Sequence, residues 1–249
     1  MTAVSQTFII RLARRSDIPA MAHIVYAANH DATNTTEDEM MQIAELDIDP
    51  TVGHKLSRDE ELVRTEARFT ELFDEGANRF VGVYLLPTLT DEGEKEKGKE
   101  KPEDGEVVPE GAVLVGQAVW LKVGKDTPSD QPAMDKLVQD KPVMISRFKA
   151  QITRTREAQM KGRDYWWLKV LTVHPEYQRR GLGSMLVKWG TQKADGDGLH
   201  GWLETSPMGL GAYLKAGFKV AGMDRIDEPR AKRGHLEWPY MIYDSRGTQ

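Results

Sequence analysis

Gln178, Arg179, Arg180, Gly181, Leu182, Gly183 and Ser184 place two glycines two residues apart. They stand directly before a pattern of helical spacing at Leu182, Met185, Leu186 and Trp189. Glycines that bracket a helix start leave its first backbone N–H groups bare. Those donors, with the positive end of the helix dipole, suit a pyrophosphate. Gly181 and Gly183 matter because a Cβ at either position would obstruct phosphate oxygens approaching the main chain. Two familiar phosphate loops fail on named residues. A Walker loop needs Gly-Lys followed by Ser or Thr, but here Ser184 is followed by Met185. A Rossmann fingerprint needs a third glycine where Leu186 stands.

The 249 residues include no cysteine. That excludes a disulfide framework, a thiolate metal site and a cysteine nucleophile. The formal net charge of -5 does not favour general nucleic-acid binding. Hydrophobic residues make up 39% of the chain, enough for one sizeable core with additions. No apolar run approaches the ~20 residues that span a bilayer, and the first eight residues lack the pattern of a secretory signal. The expectation is a cytoplasmic protein with no nucleic-acid or membrane partner and no metal.

Elements to position the loop can be read on either side of it. Residues 8–12 read as a strand, and Ser16, Asp17, Ile18 and Pro19 as a capped helix start. Ile18, Met21, Val25 and Ala28 follow at helical spacing. Ser57, Arg58, Asp59 and Glu60 form a capping box, with Leu62, Phe69, Leu72 and Phe73 as the apolar face and Gly76 as the stop. Residues 79–86, 112–123, 165–173, 199–205, 218–226 and 236–243 read as strands, the third of them rich in aromatic and β-branched residues. Helices fit at 183–194 and 207–216. This order predicts an α+β fold in a single domain over 1–249, with insertions at about 87–110 and 124–163. The first insertion contains a charged low-complexity run at 91–102, read as a mobile hairpin loop. In the second, a helix is expected from Val143, with Ile145, Phe148 and Ile152 as its stripe. Arg147, Lys149, Arg154 and Arg156 crowd the rest of that helix.

The order strand, Val173-His174-Pro175, Gln178 to Ser184, helix, strand, then Tyr213-Leu214-Lys215-Ala216-Gly217-Phe218 resembles the GNAT (GCN5-related N-acetyltransferase) superfamily. The phrasing around Tyr177 to Gly183 and Leu203 to Gly209 is most similar to fungal small-molecule members. The resemblance covers residues 166–218, with a weaker echo at 10–28. It implies a mixed, mostly antiparallel central sheet with helices on both faces and a splayed pair of strands. It further implies acetyl-CoA as acetyl donor, its pantetheine arm lying along Leu171, Thr172 and Val173. The pyrophosphate would lie on the amides of 179–184, next to Gln178, with Arg179 and Arg180 adding charge-assisted bonds. Tyr213 matches a tyrosine that sits beside the CoA sulfur and protonates the leaving thiolate.

Acetyl transfer to an amine makes its own demands. An alkyl amine is mostly protonated below its pKa of about 10.4, so a base must take a proton during attack. The carbonyl oxygen needs a donor, for which a backbone N–H on the splayed strand is suited. Without cysteine, direct transfer in a ternary complex is the simplest route. Some relatives place a glutamate on the strand before the loop, where this chain has Trp166, Trp167 and Lys169. Glu204, at the end of the next strand, is the candidate base, against a reading in which it is salt-bridged there. His174 is a second candidate. The acceptor is expected to be a small-molecule amine. A non-catalytic acetyl-CoA-binding module and a peptide or protein N-acetyltransferase remain alternatives, and a homodimer is compatible with the sequence. The basic helix after Val143 is either a solvated surface helix or a lid or phosphate contact over the site. Spacing alone does not separate these.

Overall fold

The computed structural model describes residues 6–31, 39–87, 107–206 and 208–245. The charged run expected as a hairpin loop at 91–102 lies outside the described residues. Seven strands form one sheet: β1 Phe8–Leu12, β2 Asn78–Leu85, β3 Val113–Val123, β4 Tyr165–Val173, β5 His200–Glu204, β6 Lys219–Asp227 and β7 His235–Tyr243. Their spatial order is β1-β2-β3-β4-β5-β7-β6. Every pairing is antiparallel except that of β4 with β5. This is the α+β class that the order of elements predicts, with the mixed, mostly antiparallel sheet that the resemblance implies.

The helices are α1 Ile18–Asn29, α2 Glu39–Ala44, α3 Arg58–Asp74, α4 Gln131–Asp140, α5 Met144–Gln159, α6 Leu182–Asp197 and α7 Leu210–Lys215. Residues 119 and 120 of β3 show how the two faces are filled. Val119 packs with Ile18, Met21 and Ile24 of α1 and Phe69 of α3, while Trp120 packs with Leu186 and Val187 of α6. Successive strand residues point to opposite faces, so α1 and α3 cover one side of the sheet and α6 the other. Gly190 lets α6 come close, because a Cβ there would meet the Trp120 ring at 2.1 Å.

The capping box at the start of α3 is formed as the sequence predicts. Ser57 Oγ accepts from the Glu60 amide, and the Glu60 carboxylate accepts from the Ser57 amide at 2.8 Å. The second insertion departs from expectation. It holds two helices rather than one, and α4 has no side-chain cap of its own. Glu157 of α5 supplies what is missing, accepting from the Asp130 amide at 2.7 Å and the Ser129 hydroxyl at 2.5 Å. A start signal delivered from a residue nearly thirty positions away leaves no local trace. Helix α5 begins at Met144, one residue after the expected Val143. Asp47 holds that start, accepting from the Met144 amide at 2.5 Å. Met144 of α5 and Ile43 of α2 then pack on Ile226, Leu236 and Trp238, which places both helices over the β6–β7 end of the sheet.

Candidate functional site

Strands β4 and β5 run side by side for three pairs only: Tyr165 with His200, Trp166 with Gly201, and Trp167 with Trp202. Beyond them β4 stays bonded to β3 as far as Val173 opposite Gly116, while β5 follows β7, Glu204 pairing with Tyr240. The two strands therefore part after Trp167. A bulge falls at the same place: Val119 pairs with Val170 and Trp120 with Leu168, leaving Lys169 as an extra residue. Leu168 and Leu171 consequently face the same cluster although they are three apart. From Leu168 onward, the backbone groups on the β5 side of β4 open into the gap instead of into a ladder.

That gap is a cleft of about 650 Å³. Leu171, Thr172 and Val173 line it, as do Gln178, Arg179, Gly181, Leu182, Gly183, Ser184, Glu204 and Tyr213. Of the sequence-derived site residues, Arg180 lies apart from this lining. Its guanidinium donates to the Glu176 carbonyl at 3.0 Å and sits 5.5 Å from the Tyr177 ring centroid. Gln178 ties the loop to the strand, its side-chain amide donating to the Val173 carbonyl at 3.1 Å. The turn is tight. Arg179 has φ 60° and Gly181, the residue capping α6, has φ 81°. Gly181 is required by that left-handed backbone rather than by crowding, since nothing lies within 4 Å of where its Cβ would be. The first amides of α6, from Leu182 to Ser184, lack intrahelical partners by position and border the cleft.

Glu204 is held by two indoles. Trp202 Nε1 donates to it at 2.5 Å and Trp167 Nε1 at 3.3 Å. The salt-bridged reading of this carboxylate is replaced by a neutral cradle from two tryptophans, one on each side of the point where the strands part. Enclosure by protein raises its pKa to about 7; the indole bonds and the positive charge of Arg156 pull the other way. Burial also raises the phenol of Tyr213, which is 7% exposed and packs edge-on against Phe218. His174 caps a 3-10 turn at Pro175–Tyr177, its ring accepting from the Glu176 amide at 3.4 Å, outside the cleft lining.

The basic helix of the second insertion needs correcting in one respect. Arg147 and Arg154 do sit at the surface, paired with Glu228 and Asp135, but Arg156 is 3% exposed. Its guanidinium lies 3.9 Å from the centroid of the Trp167 ring and donates to the Tyr165 hydroxyl at 2.8 Å. A run of arginines at helical spacing gives no sign of which one turns inward. Arg156 therefore stacks beneath one of the indoles that hold Glu204, and its charge favours the ionised carboxylate. Arg156→Met keeps most of the volume and removes the charge. We expect the Glu204 carboxyl to titrate at higher pH in this variant, by on the order of half a unit, as read by NMR of the side-chain carboxyl. A loss of thermal stability with an unmoved titration would make Arg156 a packing residue only.

Comparison with known proteins agrees with this geometry. Residues 146–218 match the family model described as Acetyltransferase (GNAT) family. A curated acetyltransferase from Stachybotrys chartarum is 26% identical over 145 residues, which are 55% of this chain and 61% of that protein. The match therefore spans less than two thirds of the relative's length. Among solved structures, arylalkylamine N-acetyltransferase 2 from Aedes aegypti superposes with a TM-score of 0.58 at 10% identity, covering 96% of this chain and 99% of that one. Drosophila melanogaster polyamine N-acetyltransferase gives 0.56 at 10% identity, covering 96% and 100%. At such identities the likeness is one of fold. Residues 146–218, which hold the loop and the parting strands, are the part of this chain that is similar to the GNAT acetyltransferase family.

Proposed function

We propose that this protein is an acetyl-CoA-dependent N-acetyltransferase that moves an acetyl group directly to the amine of a small molecule. The observation that carries the reading is Glu204. A carboxylate with a pKa of about 7 lines the cleft at the place where β4 and β5 part. The residues present fit the donor. The open edge of β4 offers backbone groups to an extended amide-bearing arm, and the bare amides at the start of α6 offer donors to phosphate. The cleft volume falls in the range of sites that hold cofactor-sized ligands.

Acetyl-CoA would supply an acetyl group activated as a thioester. Glu204, half ionised near neutral pH, takes the proton that the amine loses as it attacks. A backbone N–H on the open edge of β4 would donate to the carbonyl oxygen, where negative charge develops. Tyr213, kept protonated by burial, gives its proton to the departing thiolate. The Trp167 and Trp202 indoles fix the carboxylate without neutralising it, so it can accept a proton and release it again.

Gly181→Val tests the donor half. A β-branched side chain at φ 81° is strained by about 1–3 kcal/mol, which the loop relieves by turning its amides away. Calorimetry should show acetyl-CoA binding weakened at least ~10-fold. Unchanged affinity would remove the loop from the donor site. An amine screen that detects released CoA thiol tests the acceptor half. Tight acetyl-CoA binding with no thiol release from small amines or basic peptides would overturn the enzymatic reading.

A further inference from the structure

The face of α5 that carries Arg156 is turned to β4, since that guanidinium lies on the Trp167 ring. Ser146, Lys149 and Thr153 share the face at helical spacing. Ser146 and Thr153 are only 4% and 5% exposed, and among the described residues neither hydroxyl has a hydrogen-bond partner. Lys149 is half-buried between them. Opposite this face, Lys169 of β4 donates to the Asn78 side chain at 3.1 Å, and Asn78 in turn donates to the Leu72 carbonyl of α3 at 2.9 Å. Arg68 stands one turn before Leu72 on α3, at an exposed position. Among the described residues, neither Arg68 nor Lys149 has an ion pair or a side-chain hydrogen bond. The acids nearby are already engaged. Asp49 is held by Arg64 and Lys141, Asp130 by Arg156, and Glu75 by Asn78. The Arg68 charge acts on both lysines. Burial, together with the charges of Arg68 and Lys141, pushes the Lys149 ammonium down to about 8.

We infer that Arg68, Lys149 and Lys169, with the hydroxyls of Ser146 and Thr153, form a binding site for one oxyanion, a phosphate or carboxylate group. A half-buried ammonium without a counter-ion is costly, and an oxyanion removes that cost. Bonds from lysine and arginine to such a group are charge-assisted and short. Lys169 spends one of its three N–H donors on Asn78 and keeps the others. The two hydroxyls add neutral donors where no acceptor now meets them. This site is separate from the head of α6. Arg68 and Lys149 lie outside the cleft lining, whereas Lys169 belongs to it. The oxyanion therefore has two sources, a free ion or the acidic end of a molecule whose amine lies in the cleft. Neither the site nor its first test depends on Glu204 or on acetyl transfer.

The first test is calorimetry of inorganic phosphate with the whole chain. Wild type should bind it at about millimolar strength, and Lys149→Met and Arg68→Gln should each weaken that binding about tenfold. Lys149→Arg keeps the charge and should retain it. The second test compares kcat/KM for 4-aminobutyrate and butylamine at saturating acetyl-CoA, two amines that differ by one carboxylate. A preference of about tenfold for 4-aminobutyrate, lost through KM in Lys149→Met, assigns the oxyanion to the acceptor. Phosphate binding that depends on Lys149, without that preference, assigns it to a free ion. Lys149→Met removes an unpaired charge, so without phosphate it should melt no lower than wild type. If it does melt lower, Arg68→Gln, at an exposed position, decides. Phosphate affinity and amine preference both unchanged in the two variants would overturn the site.

Discussion

Glu204→Gln is expected to lower kcat/KM about 10²–10⁴-fold, the usual worth of a positioned general base. It should also abolish the rise of activity through neutral pH. In the wild type the carboxyl has a pKa of about 7, so the working, ionised form grows in as pH increases through that value. Glutamine fits the same cradle of Trp167 and Trp202 but accepts no proton. Stability should move the opposite way. The unfolded chain releases the Glu204 proton near 4.5 and the folded one near 7. Between those values the folded state binds more protons, so its stability falls as pH rises and the loss is complete above the folded pKa. Removing the carboxylate should therefore stabilise the protein at pH 8 by at most about 3 kcal/mol, less whatever solvent in the cleft screens. Thermal melts at pH 5 and pH 8 beside a pH–rate profile would check both halves. Retained activity with a lower melting temperature at pH 8 would mean a structural carboxylate.

Tyr213→Phe is expected to lower kcat about 10²-fold while changing the KM for acetyl-CoA much less. The substitution keeps the ring against Phe218, so packing is preserved and only the hydroxyl is lost. Burial raises the phenol above its ordinary value of 10. The proton donor therefore stays loaded throughout the pH range in which Glu204 becomes active, and wild-type activity should form a plateau above neutrality. Single-turnover rates with an amine whose chemical step is slow give the cleanest reading. An unaltered rate there would take Tyr213 out of the mechanism.

Much of the architecture was legible because its signals are local. Alternation and β-branched residues marked each strand to within one or two positions, and Ser57 with Glu60 marked the start of α3. The loop announced itself by two glycines before an apolar helical stripe, and in the structure Gly181 holds the positive φ that only glycine adopts freely. Helix α4 escaped because its start is completed by Glu157 of α5. Helix α2 escaped because its six residues are too short to carry a period.

By itself, the sequence determined the fold class, the anion-suited turn at the head of α6, the exclusion of cysteine chemistry, and Glu204 and Tyr213 as candidates. Tertiary structure decided what those candidates can do. A proton affinity depends on which atoms displace water around the group. For Glu204 those atoms come from Trp167 on β4, Trp202 on β5 and Arg156 on α5. No spacing along the chain brings these three together. They meet because β4 and β5 pair only as far as Trp167 and Trp202, and because α5 lies across that point and turns one of its arginines inward. Glu204 lines both the cleft and a second, smaller cavity.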